Sequence, residues 1–525
     1  MCTLGAQFFA LEYSDTVQQL PAAFILKAGS QWAATADRLI LGHTNQISID
    51  GLMLLHDYAL RMGNFTQAFV LSALMARMTQ ALQINLEYSS DLFDQSDNAS
   101  LSITDRECRR RLMWSCYVTD VLCSNGVEQL TLIFEKDLKI QLPCNNRNFL
   151  HQQPSITRTL TGSPLDFVPP DKIPADIDSN MGMLGYLIQQ LEIRRRVLWY
   201  IKHLDQAKLP WLPDSEFAQL DRELQAWYAS LPANLHFTTS TIYLRKESSQ
   251  LGALCLFHCA YHQTMLDFYR IGTPELFKLR SAFHFPPEMS DFQRHLQFAL
   301  FKEARTLGAI IAEAEQHSPR MIGDPWFPTM AYESNRVMLF YLTQVADPVA
   351  MNKRDLVLSS IPYLQSNLKA LKTMRATNAM AEGLSRGAES MLQTLGVNAN
   401  HILPLPNVIL DDPYLAFPNR DAEAPQRAAD SDLHPLSIFR MARKEIPEGH
   451  VPVESSQANP SSTKDILQVV EQPILVATGM EGLDQNLDMF FTPDLARDWD
   501  VAEMIHGSRI DSDGLISWTG MAQMG

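Results

Sequence analysis

Helical periodicity is the feature of this chain that most constrains its fold. Through most of the sequence, apolar residues recur every three or four positions, the spacing of one face of an α-helix. Residues 49–62 show the pattern, with Leu52 and Leu55 on one face, and Gly63-Asn64 breaks it. No region shows the sustained alternation of apolar and polar residues that marks strands. The sequence therefore predicts an all-α body built as a large multi-helix bundle.

Composition divides the chain into two predicted parts. Residues 1–400 carry the helical pattern, interrupted by a proline-rich loop or insertion at 145–180. From 401 to 525 proline, serine and aspartate become frequent and the periodicity stops, as in segments that bury too little apolar surface to fold. We predict a mostly disordered acidic tail there, including a linker at 411–465. Further helices are predicted at 65–84, 105–124, 181–208, 214–231, 245–270, 292–316, 328–345 and 354–395.

Charge is concentrated in the tail. Residues 411–525 have a net charge of −12 out of a total of −16, which leaves −4 for residues 1–410. Neither part has the excess of lysine and arginine that attracts nucleic acid phosphates. Direct DNA binding by this chain alone is therefore not expected.

The cysteines and the apolar runs indicate the compartment. The seven cysteines form no Cys-x-x-Cys pair, and an odd number favours reduced thiols inside the cell. No apolar run reaches the roughly eighteen residues that span a bilayer, and residues 1–15 lack the basic start of a signal peptide. We expect an intracellular protein without membrane association.

The segment 105–120 carries the most distinctive local pattern. Thr104 is the predicted N-cap and Glu107 the third residue of a capping box. Glu107 also precedes Arg110 and Arg111 by three and four positions, the spacing of exposed helical ion pairs. We interpret the segment as a packed amphipathic helix with an ion-paired start. The alternative is an arginine patch that binds phosphate or a partner's carboxylates.

One helical stretch has the residue types of a metal site. Cys255, His258, Cys259 and His262 share one face, and two thiols with two imidazoles suit tetrahedral zinc. Ligands on one straight helix cannot surround an ion, however, so we favour a buried stripe. No metal or other cofactor is predicted for this chain.

Catalytic motifs are not apparent. The pair Asp411-Asp412 resembles acidic pairs that bind magnesium diphosphates, but the acid expected four residues on is missing, with Leu415 and Ala416 in that place. No glycine-rich phosphate loop, Gly-x-Ser-x-Gly or His-Glu-x-x-His pattern occurs. The sequence does not predict an enzyme, and an all-helical enzyme is the least favoured alternative.

The tail contains one amphipathic island, at 480–505. Acidic residues there alternate with bulky apolar ones, and mutual repulsion of the acids would keep the apolar groups open to a partner's groove. We predict an activation segment that becomes ordered on binding; the alternative is a terminal helix that docks on its own body. The apolar candidates are Leu487, Phe490, Phe491, Leu495 and Trp499.

Several of these motifs together resemble the fungal-specific transcription factor domain, the middle homology region of fungal zinc-cluster regulators. The pattern Glu-x-Arg-Arg-Arg-x-x-Trp…Tyr…Asp is followed by a Leu-Pro pair and later by a Leu…Leu-x-x-Trp…Leu-Pro element. The resemblance covers about residues 1–400. The matching residues are Glu107, Arg109, Arg110, Arg111, Trp114, Tyr117, Asp120, Pro143, Trp227 and Pro232.

The resemblance implies a nuclear regulator of transcription, whose target genes could be metabolic or secondary-metabolite genes. It implies partners in the transcription machinery, contacted through the tail, and a homo- or heterodimer. The family's six-cysteine zinc cluster is not found here, so zinc is expected only if a cluster precedes this sequence. Gly126-Val127-Glu128 also stands where the family often has Gly-Arg-Pro. The alternatives are a helical scaffold, a ligand-binding protein, or a co-regulator that depends on a DNA-binding partner.

Overall fold

Helices account for the regular structure of the chain. The computed structural model describes residues 1–12, 22–42, 48–89, 92, 101–277, 281–346, 353–394, 405 and 409–417. The α-helices are α1 Cys2–Glu12, α2 Ala22–Gly42, α3 Ile49–Arg61, α4 Phe65–Ala81, α5 Ile103–Ser124, α6 Asn146–Leu150, α7 Met183–Lys202, α8 Glu216–Ala229, α9 Thr239–Glu247, α10 Leu251–Tyr269, α11 Ser290–His317, α12 Phe327–Phe340, α13 Lys353–Met374 and α14 Ala379–Thr394.

The predicted all-α class is confirmed. Within the described ranges, β-type pairing is limited to isolated bridges: Leu86 with Lys139, Gln141 with Thr159, and Cys144 with Met181. No described helix is both long enough and apolar enough to cross a bilayer.

Local capping explains where several helices begin. The Ser48 side chain accepts a hydrogen bond from the Gly51 amide at 3.0 Å, and Ser215 caps α8 in the same way. These side chains satisfy amides that have no partner within the helix. The one long helix predicted at 245–270 is instead two helices, because Ser249 adopts a left-handed φ of 56° that interrupts the α-helix.

One continuous apolar core runs from Leu11 to Leu415. Helix α10 lies at its centre and is buried along its whole length, polar residues included. It packs against α7, α9 and α11, and α11 packs in turn against α12 and α13.

The segment at 145–180, predicted as a loop or an insertion, is mostly irregular. It contains the short helix α6 and 3₁₀ turns at Pro170–Lys172 and Asp178–Asn180. The Thr157 side chain is fully buried and donates to the Leu142 carbonyl. The segment is therefore attached to the residues that follow α5.

The sequence placed the end of the helical body at residue 400, and for residues 409–417 that boundary is wrong. Ile409 and Leu415 are 3% and 1% exposed and belong to the core, and Asp412 is 8% exposed. The predicted linker at 411–465 therefore begins too early. A short apolar segment can pack into a groove of the body without being helical. Helical periodicity in the sequence does not reveal such a segment. The rest of the predicted tail lies outside the described residues.

Candidate functional site

The N-terminus of α5 is capped earlier than the sequence predicted. Ser102 is the N-cap, its hydroxyl accepts from the Asp105 amide at 3.0 Å, and Asp105 completes the capping box. The prediction that Thr104 and Glu107 form this box is wrong. Glu107 is 2% exposed and binds other groups of the chain.

Glu107 is the centre of a buried ionic junction. Its Oε1 accepts from Arg111 Nε and from the Cys144 amide, both at 2.9 Å, and its Oε2 pairs with Arg110. Arg110 also pairs with Glu87, which precedes α5 in sequence. Burial alone would lower the pKa of Arg110, but the two carboxylates outweigh it and raise the pKa above its ordinary value. The predicted ion pairs exist, but they are buried and not exposed.

The other guanidinium groups also bind groups of the same chain. Arg111 donates to the Cys144 carbonyl at 2.9 Å and lies over the Phe149 ring, 4.4 Å from its centroid. Arg109 donates to the Gln83 carbonyl at 3.0 Å. These contacts favour the packed-helix interpretation over the phosphate-binding patch.

A small cavity lies beside this junction. It has a volume of about 30 Å³ and is lined by Arg106, Glu107, Arg110, Cys144 and Phe149, among others. A space of this size holds one or two water molecules and no organic ligand. The junction is therefore suited to holding segments together and not to binding a metabolite.

The aromatic residues of α5 anchor two neighbouring segments. Trp114 is fully buried, and its indole N–H donates to the Gln141 carbonyl at 2.8 Å. Tyr117 meets the Trp114 ring edge-on, with centroids 5.4 Å apart, and donates to Glu192 of α7 at 2.6 Å. Burial, followed by the Glu192 charge, raises the pKa of the Tyr117 hydroxyl, which therefore stays protonated and donates.

Asp120 holds the chain where it leaves α5. Its carboxylate accepts from the amides of Leu132 and Ile133, the nearest contact being 2.8 Å. Burial raises the Asp120 pKa to about 7, although both amides act in the opposite direction. Glu107, Trp114 and Asp120 thus hold the segment 131–144 alongside α5.

The remaining signature residues lie outside α5. Pro143 lies within the segment fixed by α5. Trp227 of α8 stacks on Tyr261 of α10, with centroids 5.5 Å apart, and Pro232 immediately precedes the 3₁₀ turn Ala233–Leu235. Trp227 therefore joins α8 to α10, so the sequence motifs mark two separate packing junctions.

The Cys/His stripe of α10 is buried, and its histidines bind other protein groups. His258 Nε2 lies 2.8 Å from the Leu235 carbonyl, and His262 Nδ1 lies 2.7 Å from Glu303 Oε2. Burial lowers the pKa of both histidines to about 3 and raises that of Glu303, so burial favours the uncharged form of each group. Among the described residues no group of three or more His, Cys, Asp or Glu could hold a metal ion.

Sequence reasoning missed a third junction, between Arg305 and Asp412. Arg305 is 1% exposed and donates through Nε and Nη2 to Asp412 Oδ2 at 2.9 and 2.6 Å. The apolar residues Tyr414, Leu415 and Phe417 just after the acid were the available signal. The predicted activation residues, from Leu487 to Trp499, lie outside the described residues.

Comparisons with known proteins show which proteins this chain resembles. A family model for the fungal specific transcription factor domain matches residues 1–229. An uncharacterized transcriptional regulatory protein of Schizosaccharomyces pombe is 31% identical over 258 residues, which are 47% of this chain and 26% of that protein. The Zn(2)-C6 fungal-type transcription factor FTF1c of Fusarium oxysporum is 24% identical over 411 residues, or 76% of this chain and 42% of its own length. No solved structure matches.

The match to the fungal specific transcription factor domain covers residues 1–229, which are less than half of the 525 residues of the chain. The relatives include Zn(2)-C6 fungal-type transcription factors, which confirms the resemblance seen in the signature residues. The chain spans only between 26% and 42% of the length of the two relatives described.

Proposed function

We propose that this chain is a regulator of transcription that acts in the nucleus. The observation that carries the proposal is the family match at residues 1–229, together with relatives named as transcriptional regulators. The contacts agree with this role, because the most distinctive polar residues are used for packing and not for catalysis.

In this proposal the helical body regulates and the acidic tail recruits transcription machinery. The support for the tail is chemical: between residues 480 and 505, acids surround Leu487, Phe490, Phe491 and Trp499. Contact with DNA is not proposed for these 525 residues themselves, because a chain of net charge −16 has no basic field to attract a duplex.

A reporter assay tests the activating part. Residues 418–525 would be fused to an unrelated DNA-binding domain upstream of a reporter gene. We expect activation, and we expect loss of most of it when Phe490, Phe491 and Trp499 are replaced by alanine, because bulky apolar groups supply most of the binding energy of such segments.

The matched control replaces three apolar residues just outside the island, Ile474, Leu475 and Val476, by alanine. It should leave the reporter active at equal fusion abundance. A silent wild-type fusion, or equal loss in both variants, would reject the activation segment and favour a helical scaffold or a ligand-binding protein.

A further inference from the structure

Residues 409–417 form a strap that lies across the helical body after α14. Apart from one 3₁₀ turn at Ile409–Asp411, the strap has no regular structure. The Asp412 and Leu415 amides donate to carbonyls of the strap itself, at 3.3 and 3.4 Å. The strap must therefore be held to the body mainly by its side chains.

Near the start of the strap, a carboxylate pairs with a buried cation. Asp412 Oδ2 accepts from Arg305 of α11 and from the Tyr363 hydroxyl of α13, the latter at 2.9 Å. The guanidinium lies near two rings, 4.9 Å from the centroid of Tyr363 and 5.4 Å from that of Tyr414. Arg305 also donates to Ser360 Oγ at 2.5 Å. The site thus recognises a carboxylate with several aligned donors.

The other end is an aromatic ring in a ring-lined slot. Phe417 stacks on Phe237 with centroids 5.9 Å apart and planes 18° apart, and meets the His262 ring edge-on at 5.5 Å. Two rings face Phe417 here, so the slot is suited to an aromatic or other apolar group. The Nε2 atom of His262 is buried and has no hydrogen-bond partner among the described residues.

Two contacts between these ends fix the register. The Ala416 amide donates to Thr306 Oγ1 at 2.7 Å, and Leu415 is 1% exposed. The body therefore binds an acid, Asp412, that is followed by bulky apolar residues two, three and five positions later. These are Tyr414, Leu415 and Phe417.

We infer that this groove is a docking site for short peptides with that order of residues, and that the strap is its exchangeable internal occupant. Segments with few backbone hydrogen bonds to their neighbours open at a lower free energy than the core. When the strap opens, Arg305 loses its carboxylate partner, so a peptide that supplies an acid and a ring is favoured in its place. The inference does not depend on a role in transcription.

Hydrogen exchange on the full chain tests whether the strap opens by itself. Asp412→Asn keeps the side-chain shape but removes the charge, and Phe417→Ala empties the slot. We expect amide exchange in 409–417 to become at least tenfold faster in each variant while exchange in α5 and α10 is unchanged. Unchanged exchange in the strap, or equal acceleration in the core helices, would overturn the inference.

Peptide binding tests the recognition. A fluorescently labelled peptide of residues 409–417 would be titrated with the full chain that carries both Asp412→Asn and Phe417→Ala. We expect saturable binding, at least tenfold tighter than to the wild-type chain, whose groove is occupied. The control peptide carries the same two substitutions and should bind at least tenfold more weakly. Equal binding of the two peptides, or none, would reject the docking site.

Discussion

At the scale of single residues, the signature of this chain is a set of structural ties. Glu107 pairs with two buried guanidinium groups and also accepts from a backbone amide. A buried charge that loses its partner is much more costly than an exposed one. The distinctive chemistry of Glu107 and its arginines is therefore explained by burial, without a ligand.

Glu107→Gln is expected to lower the free energy of unfolding by about 3 kcal/mol, since Arg110 and Arg111 would stay buried with one carboxylate fewer. Denaturant unfolding followed by circular dichroism measures the change. The control is Glu128→Gln, because Glu128 is exposed in a 3₁₀ turn after the same helix; it should change stability by less than about 0.5 kcal/mol. Equal effects of the two substitutions would show that the junction contributes little.

The sequence predicted the identity of these residues' partners only in part. The spacing of Glu107 with Arg110 and Arg111 follows from helical geometry, and those pairs were predicted. Their burial depends on Cys144 and Glu87, which reach the helix from other segments, and local spacing carries no information on such contacts. For the same reason the capping box was assigned to Glu107 when Asp105 forms it.

At the scale of elements, the turn after α5 depends on a close backbone approach. Gly126 has a φ of +70°, and a Cβ there would lie 2.6 Å from Leu198 Cβ and 3.0 Å from the Trp199 amide nitrogen of α7. Gly126 is therefore needed for close packing against α7, and this need does not depend on which residues follow it.

Gly126→Ala should destabilise the protein for two reasons, the left-handed backbone and the collision with α7. Gly162→Ala is the matched control, because Gly162 has a φ of +89° and a Cβ added there would meet nothing within 4 Å. We expect about 1–2 kcal/mol for the control and about 1–3 kcal/mol more for Gly126→Ala. Thermal unfolding measures both, and a smaller loss at Gly126 than at Gly162 would contradict the close approach.

Elements were predictable where the apolar period was long. Helix α5 ends at Ser124 as predicted and α11 lies within two residues of its predicted bounds, because each buries a continuous stripe. The break at Ser249 and the strap at 409–417 were missed. A single left-handed residue leaves no periodic signal, and a nine-residue segment without an α-helix has no period to detect.

At the scale of the whole molecule, the family match and the folding unit have different limits. The match ends at residue 229, within a core that continues to Leu415. Arg194 of α7 pairs with Asp267 of α10 at 2.9 Å, and both are 1% exposed. Phe217 of α8 stacks on Phe268 with centroids 4.0 Å apart. The matched residues therefore bury part of their inner surface against helices that lie beyond residue 229.

We expect a fragment of residues 1–229 not to fold cooperatively, because it would expose the faces of α7 and α8 that α10 covers and would leave Arg194 without Asp267. A fragment of residues 1–417 keeps these contacts and the strap, and is the control. Near-ultraviolet circular dichroism and denaturant titration would show fixed aromatic packing and a sharp transition for 1–417 and neither for 1–229. A cooperative transition in the shorter fragment would mean that the family domain is an independent unit, and that α10 to α13 form a second one packed against it.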